Sequence, residues 1–447
     1  MLAILHHRLG TSIAIALLAA GPACEPAITQ RSRHTLAEIA TSPLRSLTEE
    51  PFPGARVLER AELIQAVLTR NPDVEAARAG WRRALYRIPQ ETALDDPMIS
   101  YSLAPLSVTG DAPFGQRIEI AQKIPLTSRR GLAGEVAMAE AEAARNDVEA
   151  VRLRLATMAS MLFDDYYVAE RALEVDSHHR TLIEQMRASA VAQYTAGRAA
   201  QQDPLQADVE LAMIDRERLA HETDRKIAAA SINGLLHRDP AAALPPPPKE
   251  LGSAGDRTLD EHTLVEAALR DRPEVRGQTA RIERGEAAGR LADRASIPDL
   301  GVMASYDSMW GMQEHRWMVG LSIDVPLARG KRAAARAEAK AETDEARLKR
   351  EQIVDDIRVE VHVAIERVNE ACAALALYEG RMLPAARAQA DAARAGFVAD
   401  QNEFQAVIAA ERSLRHVTLE IERARADVQR RLAELDRAAG RLPGGVK

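Results

Sequence analysis

The chain carries two copies of one sequence plan, and this repetition constrains its fold more than any other feature. ELIQAVLTRNPDVEAARAG, which starts at Glu62, aligns with TLVEAALRDRPEVRGQTAR, which starts at Thr263, at an offset of 201 residues. KIPLTSRRG and DVPLARGKR align at the same offset, so that Pro125 corresponds to Pro326. A run of prolines at residues 245–248 separates the copies and predicts an extended linker. We interpret the chain as a tandem duplication.

Each copy has the same predicted order: a short helix, a medium helix, two strands and a pair of long helices. The strands are indicated by alternating apolar and polar residues, which lie on opposite faces of a sheet. In RWMVGLSIDVPL, one face has Trp317, Val319, Leu321, Ile323 and Val325. We expect strands at about residues 97–105 and 116–126 in the first copy, and at about residues 299–307 and 315–326 in the second.

Two interpretations of these strands remain open. The commoner one is a soluble sheet with one face on a core, but aromatic residues, which would help to cover it, are only 3% of the chain. Strands of about ten residues with one apolar and one polar face are also typical of outer-membrane barrels. Four strands cannot close a barrel, and an open edge in lipid leaves backbone groups unpaired. The membrane interpretation therefore predicts that several copies of the chain contribute strands.

The helices that follow the strands are unusually long. Residues 131–190 contain no proline, and at 1.5 Å per residue they predict a helix of about 90 Å. Residues 330–395 repeat the pattern, with Pro384 near the far end. Alanine, leucine, valine and methionine recur every three or four residues, which is typical of coiled-coil packing. The predicted fold class is mainly α with a small β part, built from long antiparallel coiled-coil hairpins and four strands.

The N-terminal segment predicts export. A short basic start and an apolar run from Ile13 to Ala20 precede Cys24, and the run is too short to span a bilayer. We expect a signal peptide over residues 1–23, with Cys24 as a candidate for lipidation, although ordinary cleavage after Ala23 also fits. The only other cysteine, Cys372, lies in a helical pattern and is expected to be at least partly buried.

Composition and motifs exclude several functional classes. The net charge of −7 and the absence of a basic stripe argue against a nucleic-acid partner. The sequence has no phosphate-binding loop, no HExxH motif and no nucleophile with motif support, so we predict neither a catalytic site nor a cofactor. We predict no metal site; Met309, Met312 and His315 are weak candidates, because thioethers suit soft ions such as Cu(I).

The interruption YTAGRAAQQDPLQAD predicts the end of the first long hairpin. Gly197 can adopt the left-handed conformation that ends a helix, and Asp203 is predicted to cap the returning helix, with Pro204 as its first residue. GFVADQNEFQAVIAA aligns with this segment at an offset of 203 residues, so Phe397 corresponds to Tyr194 and Asp400 to Gly197. The two hairpins are therefore expected to turn at equivalent positions.

Taken in order, NPDVEAARA, IPLTSRRG, YTAGRAAQQDPLQADVELA and VPLARGKR make the chain resemble the TolC-like outer-membrane efflux channels of Gram-negative bacteria. The resemblance covers nearly the whole chain after residue 24. It implies a homotrimer whose twelve strands form a barrel in outer-membrane lipid, above a barrel of helices in the periplasm. It also implies a passive export duct for drugs, metal ions or other small molecules, which works with a periplasmic adaptor and an inner-membrane pump.

The resemblance also assigns roles to the hairpin tips. It implies that the tips contact the adaptor, with candidates Tyr194, Gly197, Asp203, Phe397 and Asp400. Some family members have aspartates that ring the closed pore, but the corresponding positions here are Ala406 and Ala409. Asp400, Glu403 and Glu411 are the alternative candidates for the pore entrance.

The expected organisation has six parts: the signal peptide, an N-terminal extended segment at 24–58, a first repeat at 59–238, a proline-rich linker at 239–258, a second repeat at 259–440 and a tail at 441–447. The rival interpretation is a periplasmic coiled-coil scaffold or adaptor lipoprotein without a channel. Such adaptors usually have one hairpin in a β-rich chain, whereas two hairpins are predicted here.

Overall fold

The computed structural model describes residues 27–41, 50–105, 115–125, 127–252, 259–399 and 401–445. The chain divides into two compact units. Unit 1 is drawn from residues 1–43, 77–147 and 276–352, and unit 2 from residues 44–76, 148–275 and 353–447. Each unit takes segments from both sequence copies.

The two copies have the same element order, except that a π turn divides the long helix of the second copy in two, and this confirms the predicted mainly helical fold with four strands. The first copy contains α2 (Arg60–Arg70), α3 (Pro72–Thr92), β1 (Met98–Leu103), β2 (Gln116–Ile124), α4 (Arg129–Thr195) and α5 (Gln202–Leu235). The second contains α6 (Glu261–Asp271), α7 (Pro273–Arg294), β3 (Asp299–Asp307), β4 (Trp317–Asp324), α8 (Arg329–Leu377), α9 (Leu383–Val398) and α10 (Phe404–Ala438). Helix α4 has 67 residues and is therefore about 100 Å long.

The N-terminal segment differs from the prediction. Residues 24–58 were expected to be extended, but Ala27–Thr41 forms a helix, α1. Its apolar residues Ile28, Leu36 and Ile39 pack in unit 1 against a cluster that includes Leu85 and Ile88. The helix is therefore stabilised by tertiary packing, which the composition of a short polar segment does not reveal.

Four antiparallel strands form the sheet of unit 1, in the order β1-β2-β3-β4. The central pair joins the two sequence copies, since β2 of the first pairs with β3 of the second. Because the side-chain period of a strand is two residues, this register brings the apolar positions of all four strands onto one face.

The core of unit 2 packs α2 against α4 and α5. Leu63, Ile64 and Val67 of α2 are fully buried, together with Phe163 of α4. Arg60 forms two hydrogen bonds with the buried Asp164, at 2.6 and 2.9 Å, and its guanidinium lies over the Phe163 ring. A charged pair thus joins α2 to α4 at the edge of this core.

Between α8 and α9 the helix widens into a π turn over Tyr378–Met382. Pro384 follows this turn and has no backbone N–H to donate to the carbonyl group of Gly380, four residues earlier. The missing hydrogen bond accounts for a local change in winding at this point.

Candidate functional site: strand sheet and hairpin tips

One face of the sheet exposes an apolar surface. Along β4, Val319, Leu321 and Ile323 are 78, 70 and 61% exposed, and Val325 and Leu327 continue the row beyond the strand. On β1, Ile99, Tyr101 and Leu103 are also exposed. A contiguous apolar surface of this kind marks a binding or membrane surface, because water does not solvate it well.

Three aromatic residues form one row across this apolar face. The register places Tyr101 opposite Ile118, Ile118 opposite Tyr306, and Tyr306 opposite Trp317. The rings of Tyr306 and Trp317 have their centroids 5.2 Å apart. Aromatic rows of this kind are typical of the membrane–water interface of outer-membrane strands. Local sequence patterns do not predict this row, because it depends on the register of distant strands.

The opposite face of the sheet is mainly polar. Ser100, Glu119 and Ser305 form one row, and Ser102, Arg117 and Asp307 form another. At the helix end of the sheet, Lys123 lies 2.7 Å from Asp324 and 3.5 Å from Asp299. The sheet therefore has one apolar and one polar face, as the alternation predicted.

No described helix has both the length and the hydropathy that a membrane-spanning helix requires.

The first hairpin tip confirms the prediction for Gly197 and corrects the one for Asp203. Gly197 has φ +71°, and the following N–H, that of Arg198, donates to the carbonyl of Gln193 at 2.9 Å. Helix α5 starts at Gln202, one residue before Asp203. The Asp203 N–H donates to the carbonyl of Ala200 at 3.2 Å, so Asp203 lies within the first turn and is not the cap. Its carboxylate still suits a helix N-terminus.

The second tip is stabilised by aromatic packing. Phe397 and Phe404 lie with ring centroids 5.6 Å apart, and Phe404 is buried. Asp400 lies outside the described residues. Glu403 is exposed, and its charge contributes, after burial, to raising the pKa of Asp203 on the first tip. The two tips therefore place carboxylates close enough to influence one another.

Glu411 was a candidate for the pore entrance, and the structure contradicts this assignment. Its side chain is buried and forms an ion pair with Arg394 of α9. A carboxylate neutralised inside the hairpin is unavailable to ring a pore. The exposed side chains near this tip include Glu403, which precedes α10, and Ala406 and Ala409 of its first turns.

Farther from the tips, a group of charged residues, several of them buried, joins the two hairpins of unit 2. Asp176 of α4 is fully buried and accepts hydrogen bonds from Arg415 of α10 at 2.7 Å, and its other oxygen lies 2.7 Å from Nδ1 of His221 of α5. Arg415 also pairs with Glu217, and Arg412 pairs with the buried Glu210.

Asp176 and His179 are two of the groups in this region whose pKa values are shifted. Burial alone would raise the pKa of Asp176, but hydrogen bonds from His221 and Arg415 outweigh it and hold the pKa below its usual value. Burial, followed by the nearby charge of Arg415, lowers the pKa of His179. Nε2 of His179 is buried without a hydrogen-bond partner among the described residues. At neutral pH these shifts favour the charged form of Asp176 and the neutral form of His179.

Among the described residues, no side-chain hydrogen bond joins the weak metal candidates Met309, Met312 and His315 to one another. Met309 and Met312 are exposed, and the His315 ring packs edge-on against Trp310 at 6.0 Å. Within the described ranges, no three or more histidine, cysteine or acidic side chains are grouped as metal ligands.

The two cysteines have different outcomes. Cys372 was expected to be at least partly buried, but it is exposed on α8. The predicted signal peptide and Cys24 lie outside the described residues.

These features define a class: a mainly helical chain with two long hairpins and a small sheet that exposes an apolar face. Residues 264–441 match the family model described as outer membrane efflux protein. No curated protein sequence gives a significant match.

Solved structures extend the match to most of the chain. The outer-membrane channel OprN shares 20% identity and a TM-score of 0.70, with 90% of this chain and 97% of that chain covered. CusC shares 16% identity and a TM-score of 0.72 over the same fractions, 90% and 97%. The outer membrane protein VceC from Vibrio cholerae shares 17% identity and a TM-score of 0.70, with 85% and 96% covered.

At these identities the solved structures show the fold, and the family model supplies the sequence evidence for the second copy. Together they confirm the resemblance to TolC-like outer-membrane efflux channels. They also favour an export channel over a scaffold without a channel.

Proposed function

We propose that the chain is a passive outer-membrane export duct of a tripartite efflux system, with a long periplasmic part. The single observation that carries this proposal is the exposed apolar face of the sheet, bounded by the aromatic row. In water such a face is unfavourable by about 25 cal/mol for each Å² of apolar surface. In contact with lipid such a face is stable.

The height of the apolar face supports membrane insertion. From Trp317 to Leu327 the exposed apolar row covers ten residue steps, or about 33 Å of extended chain. At the usual strand tilt of about 40° this corresponds to about 25 Å, the height of the apolar band of outer-membrane barrels. The polar face would then line an aqueous lumen.

The edges of the sheet support a homotrimer. Strands β1 and β4 each pair with only one neighbour among the described residues. In lipid these free edges must pair, and edge-to-edge pairing of three identical four-stranded sheets gives a closed barrel of twelve strands. A ring of this kind leaves each chain's polar face inside.

The hairpin tips are proposed as the contact with a periplasmic adaptor, which connects the duct to an inner-membrane pump. The first tip exposes Tyr194, Leu205 and Val209 in unit 2, although burial would stabilise such residues. Gly197 and Asp203 shape this tip, and Phe397 supports the second. We propose Glu403, which lies within the described residues, as a carboxylate of the pore entrance. Asp400 remains a sequence-based candidate for both roles.

Lipidation of Cys24 is proposed on the position of α1. The hydroxyl groups of Thr29, in its first turn, and Thr92 share a 2.8 Å hydrogen bond. The Arg130 guanidinium donates to the carbonyl of Thr92. Thr92 precedes β1 by a few residues, and Arg130 follows β2, so α1 starts beside the helix end of the sheet. Ala27 lies three residue steps after Cys24, which is at most about 10 Å of chain. An acyl chain at Cys24 could therefore enter the same membrane as the strands.

Conductance tests the duct directly. The purified chain, reconstituted into planar bilayers, should produce single-channel currents, and it should migrate as a trimer in mild detergent. A chain that stays monomeric and soluble without detergent, and that gives no current, would instead be the coiled-coil scaffold. No enzymatic activity is part of the proposal.

The adaptor contact is tested by matched substitutions on α5. Leu205→Lys changes an exposed residue at the tip, and Leu219→Lys changes an equally exposed residue farther along the same helix. We expect only Leu205→Lys to reduce efflux and cross-linking to the adaptor, while both variants conduct in bilayers. Equal loss in both variants would place the contact elsewhere.

A further inference from the structure

The apolar row of β4 ends in two exposed cations. Val325 and Leu327 are 63 and 82% exposed, and Arg329 and Lys331 follow them at the start of α8. All four belong to unit 1, at the helix end of the sheet. The aromatic row lies at the other end of the same apolar face, so the two ends differ in chemistry.

Most cations at this end of the sheet are bound by the protein itself. Lys123 pairs with Asp324, and Arg129 pairs with Asp299 at 2.9 Å. Arg130 donates to the carbonyl of Thr92, and Arg332 donates to the carbonyls of Ala295 and Pro326. These four side chains are accounted for by internal structure.

Arg329 and Lys331 are different. Both side chains are exposed, and neither makes an ion pair or a side-chain hydrogen bond within the part of the chain that the structure describes. Helix electrostatics do not explain them either, because the first turn of α8 has no acidic residue and the positive end of the helix dipole disfavours cations there. Among the described residues, exposed cations without a partner also occur elsewhere on α8 and α9, but these two directly continue the apolar row of β4, and this position favours an external anionic partner.

We propose that Val325, Leu327, Arg329 and Lys331 form an interfacial anchor that binds the head groups of anionic phospholipids. The two apolar side chains would enter the acyl region, and the two cations would meet phosphate groups where the apolar face ends. This inference rests on the proposed function, because it takes the exposed sheet face to be in lipid. Long basic side chains beside an apolar surface commonly adopt this arrangement.

The partner is a bilayer lipid and not a free anion, because the cations continue an apolar surface. Exposed apolar residues add nothing to the binding of inorganic phosphate, but they strengthen the binding of a molecule with acyl chains. Each basic residue near an anionic surface contributes about 1 kcal/mol, or about 5-fold in affinity, so the pair should contribute about 25-fold. The effect should decline with salt, since charges are screened over about 10 Å at 0.1 M ionic strength.

The test uses the full chain, purified in detergent, titrated with phosphatidylglycerol or phosphatidylethanolamine and analysed by native mass spectrometry. Wild type should prefer phosphatidylglycerol, and Arg329→Gln/Lys331→Gln should lose about 25-fold of this preference. The matched control is Arg350→Gln/Arg387→Gln, which removes two exposed cations farther along α8 and α9 and should leave the preference unchanged. Arg329→Lys should retain the preference for phosphatidylglycerol. Inorganic phosphate at about 10 mM, which is about ten times a weak dissociation constant of about 1 mM, should not compete with the lipid.

The outcomes separate the anchor from the duct. If the charge-neutralised variant conducts in bilayers but keeps the wild-type lipid preference, the anchor is refuted and the duct stands. If inorganic phosphate displaces the lipid, the site is an anion site and the anchor is likewise refuted. If wild type neither conducts nor binds either lipid, the membrane assignment of the sheet fails, and the anchor fails with it.

Discussion

The sheet of unit 1 and the hairpins of unit 2 place apolar and charged residues in opposite ways. The sheet exposes Val319, Leu321 and Ile323 on one face and has a mainly polar opposite face. The hairpins bury Ile183, Ile214 and Phe404, and they also bury paired charges such as Asp176 and Arg415. These opposite distributions agree with the proposal that the sheet contacts lipid and that the hairpins lie in water.

Charges placed on the apolar face of the sheet should have the largest effect. Val319→Lys/Leu321→Lys adds two charges to the apolar face, each costing about 2–4 kcal/mol at the middle of a bilayer. The variant should fail to insert, as measured by its yield in outer-membrane fractions and by conductance. Met318→Lys/Ser322→Lys adds the same charges to the polar face of the same strand and should insert. Equal yields of the two variants would mean that the apolar face does not contact lipid.

The second prediction concerns the buried pair of unit 2. Asp164→Ala leaves Arg60 without its carboxylate partner beside a fully buried position, at an expected cost of about 3–5 kcal/mol. Thermal or urea unfolding of the detergent-solubilised chain measures this loss. Asp73→Ala breaks the exposed pair with Arg154 and should cost less than about 1 kcal/mol. A similar loss for both would show that burial does not determine the strength of these pairs.

Local sequence patterns predicted the features that depend on neighbouring residues. The alternation in RWMVGLSIDVPL determines the exposed face of β4, and the glycine at 197 adopts the left-handed turn. Features that depend on distant partners were missed. Glu411 is buried because Arg394 reaches it from the opposite helix, and the aromatic row needs Tyr101 and Trp317 to meet through two intervening strands. Helix α1 likewise forms because α3 and α4 cover its apolar residues.

The stability of the hairpins should depend on pH through the buried His179. Burial lowers the pKa of His179, so between this value and about 6.5 the unfolded chain binds more protons than the native chain. Stability therefore falls as pH decreases below about 6.5. His179→Gln should remove this pH dependence, so that the unfolding temperature changes little between about pH 7 and pH 5. His178→Gln, which removes the exposed neighbouring histidine, should keep the wild-type slope.

A separate loss should remain in both histidine variants at lower pH. The pKa of Asp176 is held below its usual value, so its contribution is complete above about pH 4 and is lost as pH falls through the native pKa. If the unfolding temperature of wild type falls in two steps as pH decreases, and that of His179→Gln in one, the step at higher pH belongs to His179. If His178→Gln removed the first step instead, burial would not be its cause.

The smallest expected effect tests the turn at which the first hairpin ends. Gly197 has φ +71° and no atom lies within 4 Å of the position that a Cβ would occupy, so Gly197→Ala meets only backbone strain. The expected cost is about 1 kcal/mol. Gly80→Ala, in the interior of α3 with equally open surroundings, should have the opposite sign and stabilise by about 0.5–1 kcal/mol. Opposite shifts in unfolding temperature would show that Gly197 is needed for its backbone conformation, whereas stabilisation by both would mean that the tip readily adopts another turn.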